Sequence, residues 1–555
     1  MAADTPPETT PRAATATSAP AAPGGTTVAA GQAGTSVAAV MAGTGAPSGN
    51  GTPTAPAPAG TAPAPAGTPT APAPAGALKP DAIGFLDALA IGLNATSPAY
   101  SLAAVIGPLV ALVGVHAPGV MLASFVPMLL IASAFHFLNR ADPDCGTTFS
   151  WVTRALGPTT GWLGGWAIAM TGVLVVGSLA DVAVGFGLLA VGADGLADNT
   201  LVREALTVVL ILLMSWLCVR GTEVSARFQN VLVLLQVLCL VVFAAVAVYR
   251  VYAGTGSLDA VRPAADWLDP FGAGGPALTG GLLLGVFAYW GWESALNLTE
   301  ETKDPANAPG RAGIWSTVVL LATYLAVAFA VVAYAGTAYL AGQADAEEDV
   351  FAALAREVLG GWDWILLLAV ATSALASTQT TIIPASRTAL SMARRRALPA
   401  GFAHIDARRG TPTTSTWWVT GTATVWYVVI HRISENALAD SLTALSLLIA
   451  FYYALTGIAC AVWYRRRLMR GPGPFLLLGA GPLLGSALLI WLLVESVADM
   501  ADPHNASSST AWFGLGAPLV IALFLAGAGV VLMLLRRAAS GAFWRERPGV
   551  APEAP

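Results

Sequence analysis

The stretch running from Gly84 to Leu112, GFLDALAIGLNATSPAYSLAAVIGPLVAL, decides the fold. It is apolar and longer than the roughly 20 residues that cross a bilayer. Yet its middle is interrupted by Asn94-Ala95-Thr96-Ser97-Pro98. Pro98 donates no backbone hydrogen bond and its ring clashes with the preceding turn, while Asn94, Thr96 and Ser97 offer side chains to the freed backbone groups. Such a break survives at membrane depth only beside protein or water. Half-helix amino ends then present partial positive charge to an anion, and freed carbonyls and carboxyl ends can hold a cation. A zwitterionic amino acid presents both.

Working outward, apolar stretches of similar length recur along the chain, at approximately 84–112, 117–139, 158–190, 204–219, 229–250, 277–302, 312–336, 362–390, 415–430, 441–464, 474–496 and 511–535. The composition agrees: 55% of residues are hydrophobic and 11% charged, against about 25% charged in soluble domains. The expected class is an all-α integral membrane protein of twelve transmembrane helices. With the amino terminus inside, the inner side holds 22 of the 27 Lys and Arg residues, and that bias places both termini in the cytoplasm. Residues 1–78 carry three charges, 14 prolines and no aromatic residue, and from Gly51 they repeat GTPTAPAPA-like units. They are expected to form a disordered cytoplasmic tail, followed by a permease domain over 79–540 and a short cytoplasmic tail over 541–555.

LGGW occurs at Leu163–Trp166 and again 196 residues later at Leu359–Trp362. The same offset separates the first break from Trp290-Gly291-Trp292-Glu293-Ser294 in the sixth span. An odd number of spans between the copies gives the inverted-repeat architecture of secondary transporters, with repeats at about 84–250 and 277–464 and extra helices at about 474–535. Taken singly, Pro98 reads equally well as a kink filled by neighbours and Gly291 as a packing glycine. The pair at repeat spacing favours a substrate site.

Three acids lie within spans: Asp87, Asp181 and Glu293. A charged carboxyl there costs at least a few kcal/mol, so a function or a partner is expected for each. Glu293 either carries a proton during transport or braces the broken helix. Asp181 lies toward the outer face, as a vestibule residue facing water or an attractor for a cationic substrate. Asp87, near the cytoplasmic start, reads as a gate or interface residue. His116, His136, His404, His431 and His504 are scattered without ligand spacing, and Cys145, Cys218, Cys239 and Cys460 form no CxxC pair. No metal and no cofactor are expected. A net charge of −5 argues against nucleic acid as a partner, and the arginine runs at Arg465–Arg467 and Arg536-Arg537 suit anionic membrane lipid.

Four segments carry a family resemblance: DPDCGTTFSWVTRALGPTTGWLGGW from Asp142, FAYWGWESALNLTEETKDP from Phe287, ASRTALSMARRRALP from Ala385 and FYYALTGIACAVWYRRR from Phe451. Over about 80–540 the chain resembles the amino acid, polyamine and organocation permease superfamily. That resemblance implies a LeuT-type fold, a five-plus-five inverted repeat with broken helices 1 and 6 and two additional helices. It further implies a substrate site that includes Asn94, with the backbone around Thr96, Ser97 and Pro98 for the carboxylate, that around Trp290, Gly291 and Trp292 for the amine, and Phe287 as an aromatic cap. The first break departs from the relatives' glycine-serine-glycine pattern, which narrows the space there. Where many sodium-independent relatives have a lysine in the fifth span, this chain has Gln236, and Thr372 and Ser373 match a hydroxyl pair facing that position. Gln236, Thr372, Ser373, Asp181 and Glu293 are therefore the coupling and gating candidates, with a proton or sodium as the coupling ion. The expected function is permease activity toward an amino acid or related amine in the plasma membrane. Its rivals are a polyamine or cation exchanger, a membrane-embedded enzyme and a transporter-like sensor. No phosphate-binding loop, HExxH or GxSxG motif is present to support an ATP-driven pump or an enzyme.

Overall fold

The computed structural model describes residues 77–257, 259–342, 349–433, 437–502, 511–539 and 541–549. The proline-rich tail as far as residue 76, His504 and residues 550–555 lie outside the described residues. Leu78, placed in the expected tail, is buried against Cys145, Leu390 and Ile405.

Single turns aside, the chain forms α1 Phe85–Thr96, α2 Pro98–Val113, α3 Ala117–Ala141, α4 Thr148–Leu156, α5 Pro158–Ala190, α6 Thr200–Arg220, α7 Thr222–Tyr252 and α8 Gly275–Ala288. A 3-10 segment over Trp292–Glu301 follows, then α9 Ala308–Gly342, α10 Asp349–Leu359, α11 Asp363–Arg394, α12 Thr413–Ile433 and α13 Ala437–Trp463. The chain closes with α14 Gly481–Met500, a two-residue hairpin, α15 Ala517–Ala539 and the single turn α16 Gly541–Trp544. The class is all-α. Nine segments among the described residues are long and apolar enough to cross a membrane. Two expected spans are not among the nine, for different reasons. The stretch 277–302 is divided between α8 and the 3-10 segment, and α12 is diluted by polar residues, nine of its 21 being Thr, Ser, His or Arg.

Small residues set the closest helix approaches, since in lipid packing rather than the hydrophobic effect holds helices together. A methyl group on Gly172 of α5 would fall 2.8 Å from the Ala385 methyl of α11. One on Gly177 would meet Tyr427 of α12 at 2.6 Å. The chain entering α1 is tied to the end of the 3-10 segment, Ala82 N donating to Glu301 O at 2.8 Å and Lys303 N to Ile83 O at 3.0 Å. The LGGW copies occupy different local structures, the first inside α5 and the second ending α10 and forming a 3-10 turn.

Candidate functional site

The first break falls where Pro98 requires it. α1 stops at Thr96, Ser97 takes a left-handed conformation with φ 55° and ψ 64°, and Pro98 opens α2. Left-handed backbone is uncommon for a residue other than glycine, while proline fits the first helical position because its missing N–H has no partner there anyway. The hydroxyls near the break hold its carbonyls, Thr96 Oγ1 donating to Gly92 O at 3.1 Å and Ser101 Oγ to Thr96 O at 2.6 Å.

In the second break α8 ends at Ala288 and Gly291 has φ 123°, a backbone that glycine adopts without strain. What resumes at Trp292 is a 3-10 helix rather than an α-helix. The two breaks lie against each other: a Cβ on Gly291 would stand 2.6 Å from the Ala95 carbonyl and 2.7 Å from Thr96 N. Beside them is a small cavity of ≈ 10 Å³, lined from the breaks by Ala95, Thr96, Phe287 and Trp290, from α2 by Tyr100 and Ser101, from α5 by Val175 and Leu179, and from α11 by Ser377. Phe287 and Trp290, in its wall, are only 6% and 7% exposed.

Glu293 sits one turn beyond, held by three groups. The hydroxyls of Tyr452 and Tyr453 reach Oε1 and Oε2 at 2.5 Å each, and Gly291 N donates to Oε2 at 3.2 Å. Trp290 Nε1 donates to the Tyr452 hydroxyl at 2.5 Å, which leaves that hydroxyl's own proton for Glu293. The cavity wall, the second break and α13 are thus joined through one carboxylate. Neither tyrosine was among the expected site residues. The signal available was the adjacent pair in an otherwise apolar span.

Gln236 stands at the centre of a second polar chain. Its amide donates to Asn94 Oδ1 and accepts from Ser373 Oγ, and Ser373 Oγ lies 2.9 Å from Ser97 Oγ. Asn94 also donates to Gln229 O at 2.7 Å, and Ser377 Oγ donates to Ala95 O at 2.9 Å. α1, α7 and α11 are stitched together behind the first break. The structure therefore brings Asn94, Ser97, Gln236 and Ser373 together, and Thr96, Phe287 and Trp290 to the cavity. Trp292 instead packs among Phe135 and Tyr453, with ring centroids 5.1 Å and 5.5 Å away.

Two candidates lie elsewhere. Thr372 does not join Ser373 at Gln236: it turns back on its own helix, donating to Leu368 O at 2.7 Å, a common fate of threonine in membrane helices. Asp181 does not face open water. It is 4% exposed and bound by Arg203 at 3.0 and 2.7 Å and by the Tyr427 hydroxyl at 2.8 Å. Arg203 opens α6 in the next helix, so no sequence-local signal announced the pair. Asp87 accepts from Gly84 N at 2.9 Å and Asn230 Nδ2 at 2.7 Å, bracing the start of α1 against α7.

At one end of the bundle, ion pairs join the 3-10 segment and the loop before α4 to α11. Arg387 and Glu301, both buried, pair at 2.7 Å, and Arg394 meets Glu300 at 2.9 Å. Asp144, Cys145 and Glu300 bring ligand-type atoms within 4.8 Å of one another. However, Arg394 already neutralises Glu300 and Arg154 reaches Asp144 at 3.3 Å. Burial, reinforced by the Glu300 and Asp144 charges, pushes the Cys145 thiol well above its ordinary value, so it stays protonated and is a poor ligand. The donor set does not suit a cation.

Comparison with known proteins agrees with this architecture. A family described as amino acid permease matches residues 83–525. The branched-chain amino acid permease BcaP of Lactococcus lactis subsp. cremoris (strain MG1363) is 25% identical over 373 residues, covering 61% of this chain and 74% of its own. The low-affinity putrescine importer PlaP of Escherichia coli (strain K12) is 26% identical over 203 residues, covering 36% and 42% respectively. Asc-type amino acid transporter 1 of Mus musculus is 28% identical over 353 residues, covering 60% and 64%. The chain spans less than two thirds of the length of these last two. With a match running from Ile83, just before the first broken helix, into the last long one, the chain belongs to the amino acid permease family.

Proposed function

We propose that this permease carries an amino acid or a related amine across the plasma membrane by alternating access around its two broken helices. The observation that carries the reading is the contact of the breaks beside a small cavity, with Gly291 against the Ala95 carbonyl and Thr96 N. α2 begins there, so its first N–H groups and positive helix end suit a carboxylate, and α8 ends there, so its last carbonyls suit an ammonium. The relatives named for branched-chain amino acids and for putrescine support the same range of substrates.

In this reading the chain crosses the membrane twelve times: the apolar segment Phe85–Ala141 holds two of the expected spans, the other eight apolar segments one each, and the expected spans at 277–302 and 415–430 supply the last two. The breaks relate two inverted halves, 84–250 and 277–464, and both termini face the cytoplasm. The Arg387–Glu301 and Arg394–Glu300 pairs then close the inner end. Glu293 links transport to a proton gradient, and Gln236 fills with its amide the region that an ion would need.

Gly291→Leu tests the site. A leucine there collides with backbone that cannot yield cheaply, so uptake into proteoliposomes is expected to vanish while membrane insertion persists. Normal uptake by the inserted variant would remove the breaks from the substrate path.

A further inference from the structure

We propose that the substrate is a neutral amino acid with a short or branched apolar side chain, and that Val175 and Leu179 of α5 set its size and exclude cations. The inference rests on the transport reading above and narrows its substrate class. The two residues are one helical turn apart and so share a face. Both line the cavity and both are buried, at 1% and 2% exposure. Phe287 lines it as well, giving the cavity three apolar side chains beside the polar backbone of the first break. A substrate whose carboxylate and ammonium engage the helix ends therefore points its side chain at hydrocarbon.

Charge gives the second argument. A lysine or a diamine brings one more ammonium into the site, and inside a membrane that charge needs a counter-ion. Glu293, next to the cavity wall, does not line it; its two oxygens are taken by Tyr452, Tyr453 and Gly291 N. Asp181 is only two residues beyond Leu179, which turns it about 200° around α5, and Arg203, Tyr427 and Thr207 hold it there. Among the described residues no carboxylate lines the cavity.

The test is counterflow with the purified full chain in proteoliposomes, each batch preloaded with the unlabelled compound and supplied with its radiolabelled form. The panel is alanine, valine, leucine, lysine and putrescine. Neutral compounds are expected to exchange at least tenfold faster than lysine and putrescine. Exchange of lysine or putrescine at a rate matching the neutral compounds would overturn the proposal, and no exchange of any compound would overturn the transport reading and this one with it. Two variants address the residues. Leu179→Trp should lower the leucine-to-alanine ratio tenfold or more, and Val175→Asp should raise the lysine-to-valine ratio tenfold or more. Unchanged ratios in inserted variants would take the wall away from α5. The wild-type panel decides the charge question even if a variant fails to insert.

Discussion

In the proposed transport path Phe287 is the side chain expected to retain the ligand. Its ring both walls the cavity and lies buried beside the second break. Removing it forfeits the burial of a large apolar group, about 1.5–3 kcal/mol, so Phe287→Ala is expected to raise the apparent KM by about tenfold or more. An unchanged concentration dependence of uptake would take Phe287 out of the site. A different residue-level cost applies to Glu301, which is fully buried against Arg387. Breaking a buried pair leaves an uncompensated charge and costs about 3–5 kcal/mol. Glu301→Gln should therefore lower the Tm of the protein in detergent, and a Tm equal to that of the wild type would show the pair to be dispensable. Phe287 was legible from the motif around it, whereas the Arg387–Glu301 pair was not. Eighty-six residues separate its partners, and only the folded bundle brings α11 to the end of the 3-10 segment.

At the scale of elements, breaks are legible and contacts between elements are not. Pro98 marks the end of α1 because it cannot continue the hydrogen-bond ladder, and Gly291 marks the second break because only glycine takes its backbone angles cheaply. Val175, Leu179, Tyr452 and Tyr453 stand in apolar runs whose periodicity says nothing about which face meets the breaks. α16 is likewise too short to show a period, yet it docks on the ordered bundle. Phe543 is 1% exposed with its ring 5.8 Å from Phe149, Trp544 lies 5.6 Å from Trp162, and Gly549 N donates to Arg154 O at 3.1 Å. The residues just past α15, expected as a short tail, thus hold α4 and the start of α5. Phe543→Ala should cost about 3–5 kcal/mol through the cavity it leaves. Limited proteolysis between α15 and the end of the chain is the check. Faster cleavage there in the variant is expected, and a cleavage rate equal to that of the wild type would show the docking to be weak.

The whole molecule raises the question of what drives it. The family resemblance implies a fixed lysine cation at the position of Gln236 in many relatives, and in this chain an amide joins α1, α7 and α11 there by bonds to Asn94 and Ser373. An ion at that position would have to strip Ser373 from Gln236, and Thr372 offers no help because its hydroxyl is spent on Leu368 O. Sodium therefore gains little there, and uptake is expected to persist when choline replaces it. Glu293 is the remaining candidate for coupling, since it ties the second break to α13 and must change surroundings if the break moves. A charged carboxylate resists such movement through a low-dielectric interior, and a neutral one does not. Uptake should then rise as external pH falls, and Glu293→Gln, neutral at every pH, should flatten that dependence while retaining transport. Loss of transport at every pH in an inserted Glu293→Gln would instead make the carboxylate a brace for the break. Strict sodium dependence in proteoliposomes would overturn the proton reading and return Ser373 to the position of an ion ligand.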